Sequence, residues 1–194
     1  MSTRSLADLS SAIHGFAGRS STVDSLMTFL AQDLLYAVVL VFAVLWFRRG
    51  GLRAGLAAGL GAVLAVGVSA LIGDIHYAAR PFVANHFAPL FTHGNDASFP
   101  SDHLCALGGV AAGAWMSSRL LGAATALLAA LVAFARVYAG IHYVADVVVG
   151  FLVGVTCGVI AWRAIRPVMP VVDRVDAELQ RCGLRPRTAG PPLQ

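Results

Sequence analysis

Long apolar runs separated by short polar segments make up most of the chain. The runs cover about 25–47 (interrupted at Asp33), 54–77, 103–118, 120–139 and 144–165. A spanning helix needs roughly 20 residues to cross ~30 Å of hydrocarbon, and 54–73 reaches that length without a charge. The other runs reach it when His103, Arg136 and Asp146 lie at the membrane boundary. The pattern predicts an all-α fold, a polytopic membrane helical bundle of about five to six transmembrane helices.

The two ends of the chain differ from this pattern. Segment 5–17 is weakly amphipathic, which is typical of a helix that lies at the membrane interface or packs as an extra short helix. We therefore expect N-terminal interfacial or short helices over 1–32 and a transmembrane core over 33–166. The tail, 167–194, contains four arginines and ends in a Pro/Gly-rich stretch, so we expect it to be cytoplasmic and partly disordered.

Composition agrees with a bilayer protein. Only 12% of the residues are charged, against about 25% in a typical soluble domain. The net charge of +4 comes from 14 basic residues, all arginine, and they punctuate the apolar runs instead of forming a basic stripe with interleaved aromatics. This arrangement argues against a nucleic-acid partner. The three cysteines form neither a disulfide framework nor a metal-binding spacing. Nothing in the pattern predicts an oligomeric state.

The arginines also predict an orientation. With five alternating spans, six arginines fall on one side of the membrane, which the positive-inside rule assigns to the cytoplasm. They are Arg48, Arg49, Arg53, Arg119, Arg163 and Arg166. Segments 78–102 and 137–143 then lie on the outer side. The histidines that map there are His76, His86, His93, His103 and His142. A purely structural protein would scatter its polar residues over both faces, so we place the candidate chemistry at the outer face.

Small residues recur at four-residue spacing along the apolar runs. The pairs are Gly55/Gly59, Gly109/Gly113 and Gly150/Gly154. Such pairs let helix backbones approach each other closely in lipid. An Ala/Gly-rich composition that merely fills space explains them equally well, so close helix packing at these positions is a hypothesis for the structure to test.

Arg136, His142 and Asp146 form the first candidate constellation. Arg136 ends one apolar run, and His142 begins the next after a tight turn that contains Gly140. His142 and Asp146 are four residues apart, so on a helix they share a face. Asp146 can then accept a hydrogen bond from Nδ1 of His142 and leave Nε2 free as a nucleophile. Taken singly, each is better explained as an interfacial residue or a helix cap, but the combination favours a site.

Residues 98–103, Ser-Phe-Pro-Ser-Asp-His, immediately precede an apolar helix. The backbone of 101–103 would form its first turn, where free N–H groups and the positive helix end favour an anion. Ser101 can donate a further hydrogen bond, and His103 can protonate a leaving oxygen. The carboxylate of Asp102 is awkward beside a phosphate, so we expect its side chain to turn away. Helix capping alone explains the Pro-Ser-Asp segment but does not predict His103.

Arg80-Pro81 closes the second strong apolar run. The guanidinium of Arg80 can clamp phosphate oxygens in a bidentate way, while Pro81 stops the helix. A snorkelling interfacial arginine explains this pair equally well. A metal enzyme built on the outer histidines is disfavoured, because the acidic residues are few and lack a ligand spacing. We therefore predict no metal and no cofactor.

Together these segments resemble the three motifs of the type 2 phosphatidic acid phosphatase superfamily, Lys-x6-Arg-Pro, Pro-Ser-Gly-His and Ser-Arg-x5-His-x3-Asp. The matches are Arg80-Pro81, Pro100-Ser101-x-His103 and Arg136-x5-His142-x3-Asp146, within a resemblance that covers roughly 70–155. Gly73 stands at the family's lysine, Asp102 at its glycine and Ala135 at its serine. The stretch 93–103, with Asp in the second motif, looks like the branch that dephosphorylates undecaprenyl diphosphate.

The resemblance implies a membrane lipid phosphatase. His142 would attack phosphorus and become a phosphohistidine, Asp146 would orient it, and His103 would protonate the leaving lipid phosphate and later activate water. The residues that would hold the phosphoryl group without a metal are Arg80, Arg136, Ser101 and Asp102, the last through the backbone of the helix start. The implied substrate is a polyprenyl diphosphate lipid of the cell-wall carrier cycle. The implied location is the bacterial cytoplasmic (inner) membrane, with the site facing outward.

Other interpretations stay open. Within the same chemistry the substrate could be phosphatidic acid, phosphatidylglycerophosphate or lipid A, and a phosphohistidine could pass its phosphoryl group to a lipid acceptor instead of water. In a different class, a small anion or bacitracin transporter could use Arg80 and Arg136 as a substrate site, although transporter charges usually lie near the bilayer midplane. No role is assigned to His76, His86, His93 or Asp96, nor to the glycine at position 73.

Overall fold

A computed structural model describes residues 3–48 and 50–186 of the chain, and within them it contains helices but no strand. In chain order the α-helices are α1 (Thr3–His14), α2 (Ser21–Gln32), α3 (Ala37–Phe47), α4 (Gly51–Ile75), α5 (Pro81–Ala84), α6 (Asp102–Ser117), α7 (Arg119–Tyr138), α8 (Val144–Ala164) and α9 (Met169–Arg181). Short 3-10 turns cover Leu34–Tyr36 and Arg166–Val168. The predicted all-α fold class is confirmed.

Three helices are long and apolar enough to cross a membrane by themselves, namely α4, α7 and α8. A fourth span arises when α2 and α3 are counted together, since they are bent by 43° at the break that Asp33 introduces into the first apolar run. Helix α6 has only 16 residues, and most of them are buried among its neighbours. The chain is therefore a multi-pass membrane protein. The three to four candidate spans in its described part, with α6 packed among them, are roughly compatible with the five to six transmembrane helices predicted.

Helix α6 is the centre of the bundle. It shares one apolar cluster with α7 and α8 and another with α3 and α4. The members are Leu104, Leu107, Ala129, Val132 and Val147 in the first cluster, and Val41, Leu45, Ala58, Val110 and Ala114 in the second. Because α6 is packed from both sides, its first turn is held rigidly against the end of α7 and the start of α8. That is the end of the bundle to which the candidate motifs map.

Glycines allow these helices to pack backbone against backbone. A Cβ atom at Gly154 of α8 would lie 2.2 Å from the carbonyl oxygen of Cys105, and one at Gly113 of α6 would lie 2.5 Å from Cα of Ala58. Neither position has room for a side chain, so α8 and α4 both contact α6 through bare backbone.

The helix-packing prediction is confirmed for two of its three glycine pairs, Gly109/Gly113 and Gly150/Gly154. It is wrong for the third pair. Within the described part of the chain no atom lies within 4 Å of a Cβ built at Gly59, and one built at Gly55 would meet only an ordinary contact. Helix α4 instead approaches α8 at Gly61, where a Cβ would lie 2.6 Å from Cα of Gly158. The four-residue spacing alone does not say which face of α4 is turned to its neighbours.

The segment after α8 continues as helix α9 and docks onto the bundle. Asp173 in α9 pairs with Arg53 at the start of α4. Beyond α9, the buried guanidinium of Arg185 pairs with Asp176 and donates a hydrogen bond to the carbonyl oxygen of Trp46 at 2.7 Å. These contacts order 169–186, which the Pro/Gly-rich composition does not reveal. The predicted disorder of 187–194 and the placement of Arg49 lie outside the described residues.

Candidate active site

The candidate residues converge at one end of the bundle, formed by α5, segment 85–101, the first turn of α6 and the 139–143 turn between α7 and α8. The five that are buried, each with at most 4% of its surface exposed, are Arg80, Ser101, Arg136, His142 and Asp146. Two cations, an imidazole and a carboxylate buried together in an apolar bundle are costly to desolvate. Such an arrangement is typical of a functional site.

His142 is held with its Nε2 atom unprotonated. Its Nδ1 atom lies 2.9 Å from the carbonyl oxygen of Ser98, and because a carbonyl only accepts, Nδ1 carries the proton of the neutral ring. The Nε2 atom lies 3.2 Å from Nη1 of Arg80 and 3.2 Å from Nη2 of Arg136. Burial, followed by the positive charges of Arg136 and Arg80, lowers the pKa of His142 well below 6.5. A neutral ring whose lone pair lies between two guanidinium groups has the protonation state that a nucleophile needs at neutral pH.

Asp146 lies beside this ring and supports it through Ser98. Its Oδ2 atom is 3.5 Å from Nδ1 of His142, but the proton of Nδ1 is accepted by the carbonyl of Ser98. Oδ2 itself accepts hydrogen bonds from Oγ of Ser98 at 2.5 Å and from the backbone N–H of Tyr143 at 2.8 Å. The two residues are close, as their spacing predicted. However, α8 begins at Val144, after His142. The two residues therefore do not share one face of a helix, as their spacing had suggested.

Ser98 is the site residue that sequence reasoning missed. It is fully buried, and it contacts His142 through its carbonyl and Asp146 through its hydroxyl. Its position in the same short segment as Ser101 was the only available signal. The partner of His142 is the backbone carbonyl of Ser98, and every residue has such a carbonyl, so the residue type at position 98 does not reveal this contact.

Arg80 bridges His142 and the outer segment. Its Nη1 donates to the carbonyl oxygen of Ile141 at 3.1 Å, while Nε and Nη2 donate to Oδ1 and Oδ2 of Asp96 at 3.2 and 2.9 Å. The side chain of Asp96 is 61% exposed, so this pair lies at the opening of the site. Burial acts to raise the pKa of Asp96, but the hydrogen bond and charge of Arg80 outweigh it, and the pKa lies below its ordinary value.

Two buried donors of the site have no hydrogen-bond partner among the described residues. They are Nε of Arg136 and Oγ of Ser101. Arg136 is otherwise anchored, since its Nη1 donates to the carbonyl oxygen of Ala31 in α2 at 3.0 Å. The backbone N–H of Ser101 is engaged as well, donating to the carbonyl oxygen of Asp146 at 3.1 Å. Buried donors are rarely left unpaired, and these two suit an oxyanion such as a phosphoryl group.

The remaining residues of the second motif begin α6. Oδ1 of Asp102 accepts a hydrogen bond from Oγ of Ser69 in α4 at 2.5 Å, so its exposed side chain is engaged with a neighbouring helix. His103 is half-buried in the first turn of α6, two residues after Ser101. The assignments of Asp102 to phosphate binding and of His103 to proton transfer stay predictions.

Position 73, where the family motif has lysine, lies against the outer segment. A Cβ atom at Gly73 would lie 3.2 Å from Cβ of Ala97. A side chain there would first meet Ala97, whose carbonyl accepts a hydrogen bond from Nη2 of Arg80 at 3.2 Å. His76, three residues further along the chain, is exposed.

An apolar cavity of about 420 Å³ lies next to the site. Its walls come from α1, α6, α7 and α8 and include Ile13, Leu104, Phe134, Val137, Val144 and Phe151. Val137 and Val144 flank the turn that carries His142, so the cavity adjoins the end of the bundle where the candidate residues lie. A cavity with an apolar lining fits hydrocarbon and would leave a charged ligand without partners.

The chain is similar in sequence and in fold to several known proteins. The chain is 30% identical over 166 residues to undecaprenyl-diphosphatase BcrC of Bacillus subtilis (strain 168), covering 84% of this chain and 86% of that protein. Its fold is similar to the crystal structure of Aquifex aeolicus LpxE, with a TM-score of 0.68 and 24% identity over 80% of this chain and 93% of the other.

A second structural neighbour is the first transmembrane PAP2 type phosphatidylglycerolphosphate phosphatase from Bacillus subtilis. The TM-score is 0.57 and the identity 25%, over 82% of this chain and 85% of that one. Residues 54–169 match the family model of the PAP2 superfamily, and this range contains all three motifs. The chain therefore belongs to the PAP2 superfamily and has the helical fold of its membrane phosphatases.

Proposed function

We propose that this protein hydrolyses undecaprenyl diphosphate to undecaprenyl phosphate and inorganic phosphate through a phosphohistidine at His142. One observation carries the proposal: the unprotonated Nε2 of His142 lies 3.2 Å from guanidinium nitrogens of both Arg80 and Arg136. Guanidinium groups bind phosphate oxygens, so a phosphoryl group bound by these two arginines would meet the Nε2 lone pair directly.

In the first step, the Nε2 lone pair attacks the terminal phosphorus and the bond from phosphorus to the bridging oxygen breaks. For this step His103 takes up a proton from solvent when the negatively charged diphosphate binds. It passes that proton to the bridging oxygen, which leaves with the lipid phosphate. The donors proposed to bind the oxygens of the transferred phosphoryl group belong to Arg80, Arg136 and Ser101. They act where charge is spread over those oxygens in the transition state, so the proposal needs no metal.

In the second step, His103 accepts a proton from water, and the water oxygen attacks the phosphorus of the phosphohistidine. The N–P bond breaks, inorganic phosphate leaves, and Nε2 recovers its lone pair. The carbonyl of Ser98 keeps a proton on Nδ1 in both steps. The nearby Asp146 carboxylate offsets the positive charge that the ring gains when Nε2 is phosphorylated.

The lipid part of the proposal depends on the apolar cavity beside the 139–143 turn and on the similarity to undecaprenyl-diphosphatase BcrC. A long isoprenoid chain needs an apolar groove, and the apolar cavity walled by α1, α6, α7 and α8 is the one we assign to it. The alternative within the same chemistry is a glycerophospholipid, which the similarity to the phosphatidylglycerolphosphate phosphatase supports.

We further propose that the protein resides in the bacterial cytoplasmic membrane with the site on the outer side. The arginines that the positive-inside rule counts lie at the opposite end of the bundle from His142. Among those described are Arg48, Arg53, Arg119 and Arg163. This orientation suits an enzyme that recycles a lipid carrier after its sugar cargo has been transferred outside the cell.

The test is phosphate release by the purified protein in detergent micelles, with excess chelator, from undecaprenyl diphosphate beside phosphatidic acid and phosphatidylglycerophosphate. We expect the diphosphate to be preferred and His142→Ala to be inactive. Preference for a glycerophospholipid would keep the chemistry and replace the substrate. Wild-type rates in His142→Ala would refute the assignment of His142 as nucleophile. Loss of activity in chelator that a divalent cation restores would refute the metal-free mechanism. No release from any lipid would favour acceptor-dependent transfer, and then transport.

A further inference from the structure

Helix α1 contacts the turn that carries His142, although it lies outside the part of the chain that matches the family model. The contacts come from two residues on one face of the helix, Ser10 and His14. They reach the two ends of the 139–143 turn, at Tyr138 and Val144. These contacts span 124 and 134 residues of chain, so nothing local to the turn could replace them.

His14 holds the beginning of the turn. Its Nδ1 lies 2.9 Å from the carbonyl oxygen of Tyr138, and because the carbonyl only accepts, Nδ1 is the donor. The His14 ring also stacks on Phe87, with ring centroids 4.2 Å apart. The stacked pair covers Gly140, which has a φ of +77°, and a Cβ there would lie 2.6 Å from the Phe87 ring and 2.8 Å from that of His14.

Ser10 holds the end of the turn. Its Oγ accepts a hydrogen bond from the backbone N–H of Val144, the first residue of α8, at 3.0 Å, and donates to the carbonyl oxygen of Leu6 at 2.8 Å. Ser10 is buried, with 5% of its surface exposed. The first N–H groups of a helix have no partner within the helix. At α8 the side chain of Ser10 caps one of them, and Asp146 caps the N–H of Tyr143.

The turn has room to move if these contacts are lost. A cavity of about 210 Å³ lies between α1 and the turn, and its lining includes Ser10, His14, Asn85, His142 and Tyr143. A shift of the turn into this space would carry the ring of His142 away from the two guanidinium groups. A displacement of ~1 Å at a reacting atom can cost on the order of 100-fold in rate.

We propose that His14 and Ser10 are positioning residues, which lock the 139–143 turn so that Nε2 of His142 points into the phosphoryl site. This inference depends on the proposed function for its catalytic consequence. It adds that the active site is incomplete without α1, a segment outside the three motifs.

The test compares His14→Ala and Ser10→Ala with Asp8→Ala, a change at an exposed position of the same helix. We expect kcat for undecaprenyl diphosphate to fall about tenfold or more in the first two and to stay unchanged in the third, with KM changed less than about twofold, because the chemistry and not lipid binding is disturbed. His14→Asn keeps a short-side-chain N–H donor and should recover part of the loss.

A second readout does not depend on any substrate. With ¹⁵N-labelled histidine, the imidazole resonances of His142, assigned with His142→Gln, should shift in His14→Ala and Ser10→Ala and stay in place in Asp8→Ala. Unchanged His142 resonances, or a lower melting temperature with an unchanged kcat, would overturn the proposal. If His142→Ala keeps activity while these resonances still shift, the positioning contact stands and the phosphohistidine mechanism fails. Should His14→Ala not fold, His14→Asn and Ser10→Ala carry the same comparison.

Discussion

Arg80 binds Asp96 through two parallel hydrogen bonds, from Nε to Oδ1 at 3.2 Å and from Nη2 to Oδ2 at 2.9 Å. The guanidinium group is planar and rigid, so fixing two of its nitrogens fixes the third. The third, Nη1, is the one that faces Nε2 of His142. The exposed carboxylate of Asp96 therefore orients a buried cation toward the proposed nucleophile, His142.

We expect Asp96→Asn to lower kcat about tenfold, because a neutral amide binds the guanidinium less strongly and Arg80 loses its fixed orientation. Steady-state kinetics with undecaprenyl diphosphate measure the effect. Asn95→Ala is the matched control, since Asn95 is an exposed neighbour that contacts Tyr77 instead of Arg80. Equal rates in Asp96→Asn and the control would show that Arg80 is oriented by its other partners.

We expect Ser98→Ala to lower both stability and activity. The hydroxyl of Ser98 donates to the buried carboxylate of Asp146 at 2.5 Å, and removing such a donor costs about 1–3 kcal/mol. Thermal unfolding in micelles and kcat measure the two effects. Ser117→Ala is the control, since the buried hydroxyl of Ser117 has no hydrogen-bond partner in the described part of the chain. A similar stability loss in both variants would mean that cavity formation, and not the lost hydrogen bond, dominates.

We expect His142 to stay unprotonated on Nε2 at pH values near 6.5, where an ordinary histidine titrates. Its pKa lies well below 6.5, so Nε2 keeps its lone pair as the pH falls through 6.5, and the reactive form is lost only at a lower pH. A ¹⁵N titration of the imidazole in micelles should show no change near 6.5. Arg136→Gln removes one of the positive charges that lower the pKa, so the titration of His142 should move upward. An ordinary pKa in the wild type would mean that water reaches the ring freely.

We expect Gly154→Ala to destabilise the bundle, whereas Gly59→Ala does not. A Cβ at Gly154 would lie 2.2 Å from the carbonyl oxygen of Cys105, so α8 must move away from α6, and such overpacking costs about 1–3 kcal/mol. Position 59 faces open space in a helix of the same bundle. Melting temperatures in the same detergent compare the two variants. Equal melting temperatures would mean that α6 and α8 adjust without strain.

Much of the fold could be predicted from the pattern along the chain. Apolar runs of span length dictate helices in a bilayer, because lipid offers no partner for backbone N–H and C=O groups. The break at Asp33 was visible as a charge within an apolar run. The ordering of 169–186 was not visible, since the burial of Arg185 depends on carbonyl groups at the end of α3, including that of Trp46.

The sequence by itself determined the candidate residues of the site: two arginines, two histidines, a serine and two aspartates at spacings that resemble the PAP2 motifs. The tertiary structure decided how they are held. It assigned the Nδ1 proton of His142 to Ser98, oriented Arg80 with Asp96 and brought α1 to the His142 turn. These contacts are made to backbone carbonyls or between residues far apart in the chain. A backbone carbonyl is the same at every position, so only the folded arrangement of the helices reveals which one a side chain meets.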